Sequence, residues 1–254
     1  MFPVLALPAA NVDTAYHGRM DNPAFPDDPE FHAGKPAAVS LNGPAGVIEA
    51  IIEGPETDAA ARPVVMVICH PLPTEGGTMH NKVVTMTARG MHQSGVTTVR
   101  FNFRGVGASA GNFDNGDGEA DDLRAVIAWV REQRPGHALW LAGFSFGSYV
   151  AYRVANEVKA GLLLMIAPPA SGRGYEFAAI TPFDGPWVVI QGEADEIVDP
   201  EQVYAWVDSL KPAPELVRIP DSSHFFHRKL IDLRGAVKHG VRPYLPAATP
   251  TTDA

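Results

Sequence analysis

The chain has 254 residues, 46% of them apolar, enough for one large core or two small ones. Its 29 acidic residues outnumber 20 Lys and Arg for a formal charge of −9, and no basic cluster offers itself to nucleic acid or to an anionic membrane surface. The lone cysteine, Cys69, excludes an internal disulfide, and no apolar run approaches the roughly 18 residues of a membrane span.

Residues 1–10 are apolar but have no Lys or Arg before them, which argues against a signal peptide and for a cytoplasmic protein. Residues 1–36 show no periodicity and read as an irregular arm, packed on the domain or on a second copy of the chain, which admits a homodimer. Segments 37–41 and 47–52, joined by Asn42-Gly43-Pro44, read as an N-terminal antiparallel hairpin. Apolar runs at 64–69, 98–103, 138–142, 162–166, 187–190 and 216–219 follow, as expected of strands buried on both faces. Between them Leu123, Val126, Ile127 and Val130 share one helical face, and Val203, Trp206, Val207 and Leu210 share another. The alternation predicts an α/β fold over 37–245: a mostly parallel sheet with helices on both faces and its site beyond the carboxyl ends of the strands. Residues 167–186 are rich in Pro and Gly and leave no room for a large cap domain. Residues 246–254 read as a flexible tail.

The pattern G-x-S-x-G occurs twice, so context must separate the copies. In Gly143-Phe144-Ser145-Phe146-Gly147 the serine follows a strand and precedes a helical face of Val150, Ala151, Val154, Ala155 and Val158. That is the strand–Ser–helix elbow of a nucleophile, where a sharp turn leaves no space beside the serine. Ser109, in Gly107-Ala108-Ser109-Ala110-Gly111, runs instead into a loop. Ser145 is the expected nucleophile.

A carboxylate and then a histidine should follow, each just past a strand. Asp195 stands in the turn after 187–190, whereas Asp199, before Pro200, reads as a helix N-cap. His224 lies in the loop after the last strand, and His227, the fallback base, reads as the opening of the final helix. A metal held by His224 and His227 lacks a third ligand at useful spacing, and none is expected. The N–H groups of Phe146 and Leu72 are the expected oxyanion donors, because Pro71 and Pro73 have none. His70 reads as a brace for that loop. Phe144, Phe225 and Met79 are the expected substrate contacts, with Tyr175 as a further candidate.

The landmarks HPLPTEGGTMHNKVV, FRGVGASAG, GFSFGS, QGEADEIVDP and SSHFFH, in this order over residues 43–241, make the chain similar to compact single-domain α/β-hydrolases of the dienelactone-hydrolase-like group. The resemblance implies hydrolysis of a small-molecule carboxylic ester or thioester by Ser145, Asp195 and His224 without a cofactor, on an α/β-hydrolase fold. True dienelactone hydrolases carry a cysteine where this chain has Ser145. Other readings are a peptidase or amidase of the same fold, or a catalytically idle binding protein on it. A dinucleotide fingerprint over 105–110 fails for want of a following helix, and an EF-hand over 114–122 fails because Gly116 occupies a ligand position.

Overall fold

The computed structural model describes residues 22–25, 35–56, 59–170 and 174–249. Strands β1 (Ala37–Gly43) and β2 (Gly46–Glu53) form the antiparallel hairpin, and β2 pairs antiparallel with β4 (Thr97–Phe101). All remaining neighbours run parallel: β3 (Val64–Cys69), β5 (Ala138–Phe144), β6 (Leu162–Ile166), β7 (Trp187–Gly192) and β8 (Glu215–Ile219). The sheet order is β1-β2-β4-β3-β5-β6-β7-β8, so β3 and β5 sit at its centre.

The central strands alternate between two cores because successive side chains point to opposite faces. Val65, Val67, Leu141 and Met165 face one cluster with helices α2 (Asp117–Gln133), α3 (Phe146–Ala155) and α4 (Pro200–Ser209). Met66, Ile68, Trp140 and Leu164 face the other, under α1 (Lys82–His92) and α5 (Leu230–Val241). Full burial of each such chain contributes about 1.5–3 kcal/mol. Both faces are covered, as the continuous apolar runs require. Between β6 and β7 the described residues hold only a 3-10 turn, Phe177–Ala179, and no cap domain rises over the sheet.

Four boundaries differ from expectation. Strand β4 stops at Phe101, because Phe103 turns aside to give its N–H to His70 Nε2 at 3.0 Å. His227 does not open the last helix. Phe226 and Arg228 take φ +53° and +60°, a left-handed bend, and α5 starts only at Leu230. Of the expected tail, residues 246–249 are held: Arg62 donates to the Pro246 carbonyl and the Thr249 N–H to Ala61 O at 2.7 Å. Of the expected arm, residues 22–25 pack on the domain, while 1–21 and 26–34 lie outside the described residues, as do 250–254. Phe25 stacks on Trp129 with centroids 4.8 Å apart, and the Trp129 indole N–H donates to Pro23 O at 2.8 Å.

Candidate active site

Strand β5 runs directly into Ser145, which takes φ +51° and ψ −121°, and α3 begins at the next residue. A non-glycine residue in that region stores about 1–3 kcal/mol and needs a rigid surround. Here the Ser145 N–H donates to Ile166 O at 2.8 Å, and Ser148 returns its N–H and Oγ to Ser145 O at 2.9 and 2.6 Å. The flanking glycines are spatial necessities. A Cβ at Gly143 would collide with the Gly147 carbonyl, and one at Gly147 with the carbonyls of Cys69 and His70. Ser109 instead ties its own loop to β2, its buried Oγ donating to Asn102 O at 2.7 Å and accepting the Glu49 N–H at 2.9 Å.

Past β7, the Asp195 carboxylate is filled on both oxygens. Oδ1 accepts the N–H groups of Ile197 and Val198 at 2.9 and 2.7 Å; Oδ2 accepts Gln191 Nε2 at 3.0 Å and His224 Nδ1 at 2.8 Å. Burial alone would push its pKa up, but the His224 bond and charge, with the two backbone N–H groups, outweigh it and hold the pKa below the usual carboxylate value. Because Nδ1 donates to a carboxylate, Nε2 of neutral His224 is left as an acceptor. The imidazole is packed between Phe144, 5.0 Å away between centroids, and Phe225, at 5.1 Å, and its backbone N–H donates to Glu196 Oε2 at 3.1 Å. Asp199 is the N-cap of α4, bonding the Glu201 N–H at 3.0 Å. His227 is exposed, away from the cleft, with its N–H on Ser223 Oγ at 3.3 Å.

Ser145 and His224 line one cleft of about 520 Å3, shared with Leu72, Phe146, Tyr175 and Phe225. No hydrogen bond joins the two side chains among the described residues. Phe146 is the first residue of α3 and Leu72 the N-cap of a 3-10 turn, Pro73–Glu75, so neither N–H has an intrahelical acceptor. The Leu72 loop is braced from below by His70, whose Nδ1–H donates to Pro71 O at 2.7 Å while Nε2 accepts the Phe103 N–H. Burial drives the His70 pKa down to about 4, against the raising effect of the Pro71 carbonyl, so the brace is neutral at pH 7. Among the described residues that line the cleft, Glu75 is the one acidic or basic side chain besides His224.

Two expected substrate contacts lie elsewhere. Met79 is buried and is not a wall of the cleft; Asn102 Oδ1 holds its N–H at 2.9 Å and Arg100 Nη1 its carbonyl at 2.7 Å. Phe144 is also buried, behind His224, and touches the imidazole rather than the cleft space. Phe225 and Tyr175 do line it. Sequence reasoning missed Gln191, although an amide in a strand buried on both faces was a visible signal. A larger groove, about 790 Å3, opens at the opposite end of the sheet beside Arg62, Arg234, Lys238 and Arg242. Its cations stand near the carboxyl ends of α1 and α5, and Arg62 Nε donates to Ser94 O at 3.0 Å. Among the described residues no trio of His, Cys, Asp or Glu is placed to hold a metal, and no helix is long and apolar enough to cross a membrane.

A family model described as an alpha/beta hydrolase domain matches residues 64–235, the span from β3 into α5. The chain belongs to the α/β-hydrolase family. Among similar solved structures is an α/β serine hydrolase without a lid from Xanthomonas campestris: 58% identity, TM-score 0.83, 90% of this chain and all of that one. An α/β serine hydrolase homologue from Coxiella burnetii is 43% identical with TM-score 0.77, covering 81% of this chain and 97% of that one. An uncharacterised protein of Rickettsia prowazekii is 33% identical over 207 residues, 78% of this chain and 86% of its own length. For an α/β-hydrolase, the elbow, the acid turn and the histidine loop all stand at the carboxyl ends of their strands, where this topology opens its crevice.

Proposed function

We propose that the chain is a cytoplasmic serine hydrolase that cleaves carboxylic esters by acyl transfer. The carrying observation is the placement of Ser145, at φ +51° on the strand-to-helix turn, in one cleft with a His224 already bonded to Asp195 at 2.8 Å. Ser145 Oγ adds to the ester carbonyl as His224 Nε2 takes its proton. The oxyanion meets the N–H groups of Phe146 and Leu72. Collapse expels the alcohol, which receives the proton back from Nε2, and leaves an acyl-Ser145 ester. Water then repeats the sequence: His224 takes its proton, the carboxylic acid departs, and Oγ is reprotonated. Asp195 stays ionised and holds the imidazole in the tautomer that exposes Nε2.

A fluorophosphonate probe tests this reading. Labelling should fall on Ser145, and Ser145→Ala should lose labelling together with p-nitrophenyl acetate hydrolysis, by on the order of 10⁶ in kcat. An unlabelled wild-type chain would overturn it. A panel of acyl esters, thioesters and amides then ranks the bond cleaved.

A further inference from the structure

Gln191 is the penultimate residue of β7, its side chain fully buried, just before the turn that carries Asp195. Both hydrogens of its amide are spent, one on Asp195 Oδ2 at 3.0 Å and one on the Gly192 carbonyl at 3.2 Å. Its Oε1 is buried and has no hydrogen-bond partner among the described residues. The orientation is forced, because rotating the amide would set Oε1 against a carboxylate and a carbonyl with no donor to meet it. A buried acceptor left unsatisfied is unfavourable, and an apolar side chain would avoid it. What the chain obtains in return is one donor at one oxygen.

That oxygen is the one His224 uses. Asp195 does not need Gln191 to be aimed, since Oδ1 is already fixed by two backbone N–H groups. The remaining effect of the amide is electronic. A second donor on Oδ2 stabilises the carboxylate charge and lowers its basicity, so the bond to His224 is weaker than it would be with that oxygen to itself.

We propose that Gln191 is a positioning residue that sets how firmly Asp195 grips the His224 imidazole, by donating to the same carboxylate oxygen. The inference rests on the acyl-transfer reading for its consequence in turnover, but not for the bond itself. With Gln191 present, the imidazolium formed as Ser145 is deprotonated is held less tightly and returns its proton to the leaving alcohol more readily. The other charged groups facing His224 are Glu196, on its backbone N–H, and Glu75, in the same cleft; His227, on the following turn, points to solvent. None of them touches Gln191 in the bonds described, so a change at Gln191 reaches His224 through Asp195.

The test compares wild type with Gln191→Met, which removes both donors at similar length, and Gln191→Asn, which withdraws the amide by one methylene. Two readouts are used: the pH dependence of kcat/KM on p-nitrophenyl acetate, and the most downfield imidazole proton in the NMR spectrum, that of His224 Nδ1–H. Either variant should move the acidic limb of the profile to higher pH by about 0.5 to 1 unit and the proton further downfield, with KM within about twofold of wild type. A folded variant in which both the limb and the proton stay in place overturns the proposal. Should Gln191→Met fail to fold, Gln191→Asn decides it. If wild type hydrolyses no ester, the acyl-transfer reading fails by itself, and the proton decides the Gln191 proposal alone: a downfield move supports it and an unmoved line sinks it.

Discussion

Phe144 and His224 lie with ring centroids 5.0 Å apart at an interplanar angle of 35°, so the residue before the elbow supports the imidazole that the elbow serves. Strand β5 delivers both Ser145 and the ring beneath the His224 imidazole. Because Phe144 is buried and Phe225 forms the open side of the same imidazole, the two phenylalanines should separate in kinetics. Phe144→Leu should cost about 1–2 kcal/mol in stability and lower kcat about ten- to a hundredfold through a loosened imidazole, with little change in KM. Phe225→Ala should raise KM instead. Steady-state kinetics on one neutral ester decide between them; equal effects on KM would refute the division.

Asp195→Asn should keep the fold, lose the Gln191 bond and be severe in rate. The Ile197 and Val198 N–H groups would retain the amide oxygen, which turns the amide nitrogen toward His224. That nitrogen donates to Nδ1, moves the imidazole proton to Nε2, and removes the acceptor Ser145 needs. A loss of about 10⁴ in kcat is expected with the fold kept and Tm lowered, because the charge-assisted bonds to the carboxylate are lost, measured by turnover and by differential scanning calorimetry. A loss under tenfold would mean that His224 does not depend on this carboxylate.

The buried histidines predict an acid-sensitive fold. His70 and His92 are both pushed down to about 4 by burial, while the unfolded chain protonates histidine near pH 6.5. Between those values the unfolded state binds more protons, so stability falls as pH drops from about 6.5 to about 4, at about 1.4 kcal/mol per pH unit for each group. Asp195, held low, loses its contribution only under more acid conditions, as pH falls through its folded value. His70→Gln should be less stable than wild type at pH 7.5, having lost part of the clamp between Pro71 and Phe103, and the gap should narrow by pH 4.5. Urea unfolding at the two pH values measures this, and a constant gap would show that His70 is not held neutral.

Glu75 should bias the cleft against anions. Among the described residues no Lys or Arg lines the cleft to offset it, so a carboxylate on the substrate would meet that charge. Glu75→Gln should improve kcat/KM for a succinate-type anionic ester relative to a choline-type cationic one by about two- to fivefold at low salt, the difference shrinking in 0.5 M NaCl. An unchanged ratio would remove Glu75 from the specificity of the site.

Ser145, Asp195 and His224 were legible because each follows an apolar strand run, and parallel topology sends all such ends to one side. Loop residues were less so, since their direction depends on partners far away in sequence. Met79 is turned inward by Asn102 and Arg100, more than twenty positions on, and nothing in its own neighbourhood signals that. The start of α5 departs from expectation because the left-handed bends at Phe226 and Arg228 occur at residues whose types do not advertise them. Position Gln191 was visible as a polar break in a buried run, but its meaning depends on which oxygen it reaches. The docking of Thr249 on Ala61 joins segments almost 190 residues apart, a distance no local pattern spans.

The short β6–β7 connection has an implication for what can be presented to Ser145. Among the described residues no cap domain stands over Ser145, so no such domain must open before a carbonyl arrives or close before it reacts. The walls act as a fixed template for the few atoms around the scissile bond, and the remainder of the molecule can stay in solvent. On the proposed acyl-transfer reading, selection by this cleft would fall on the local shape and charge of an ester group, and a bulky or even polymer-borne ester would be excluded no more than a small one.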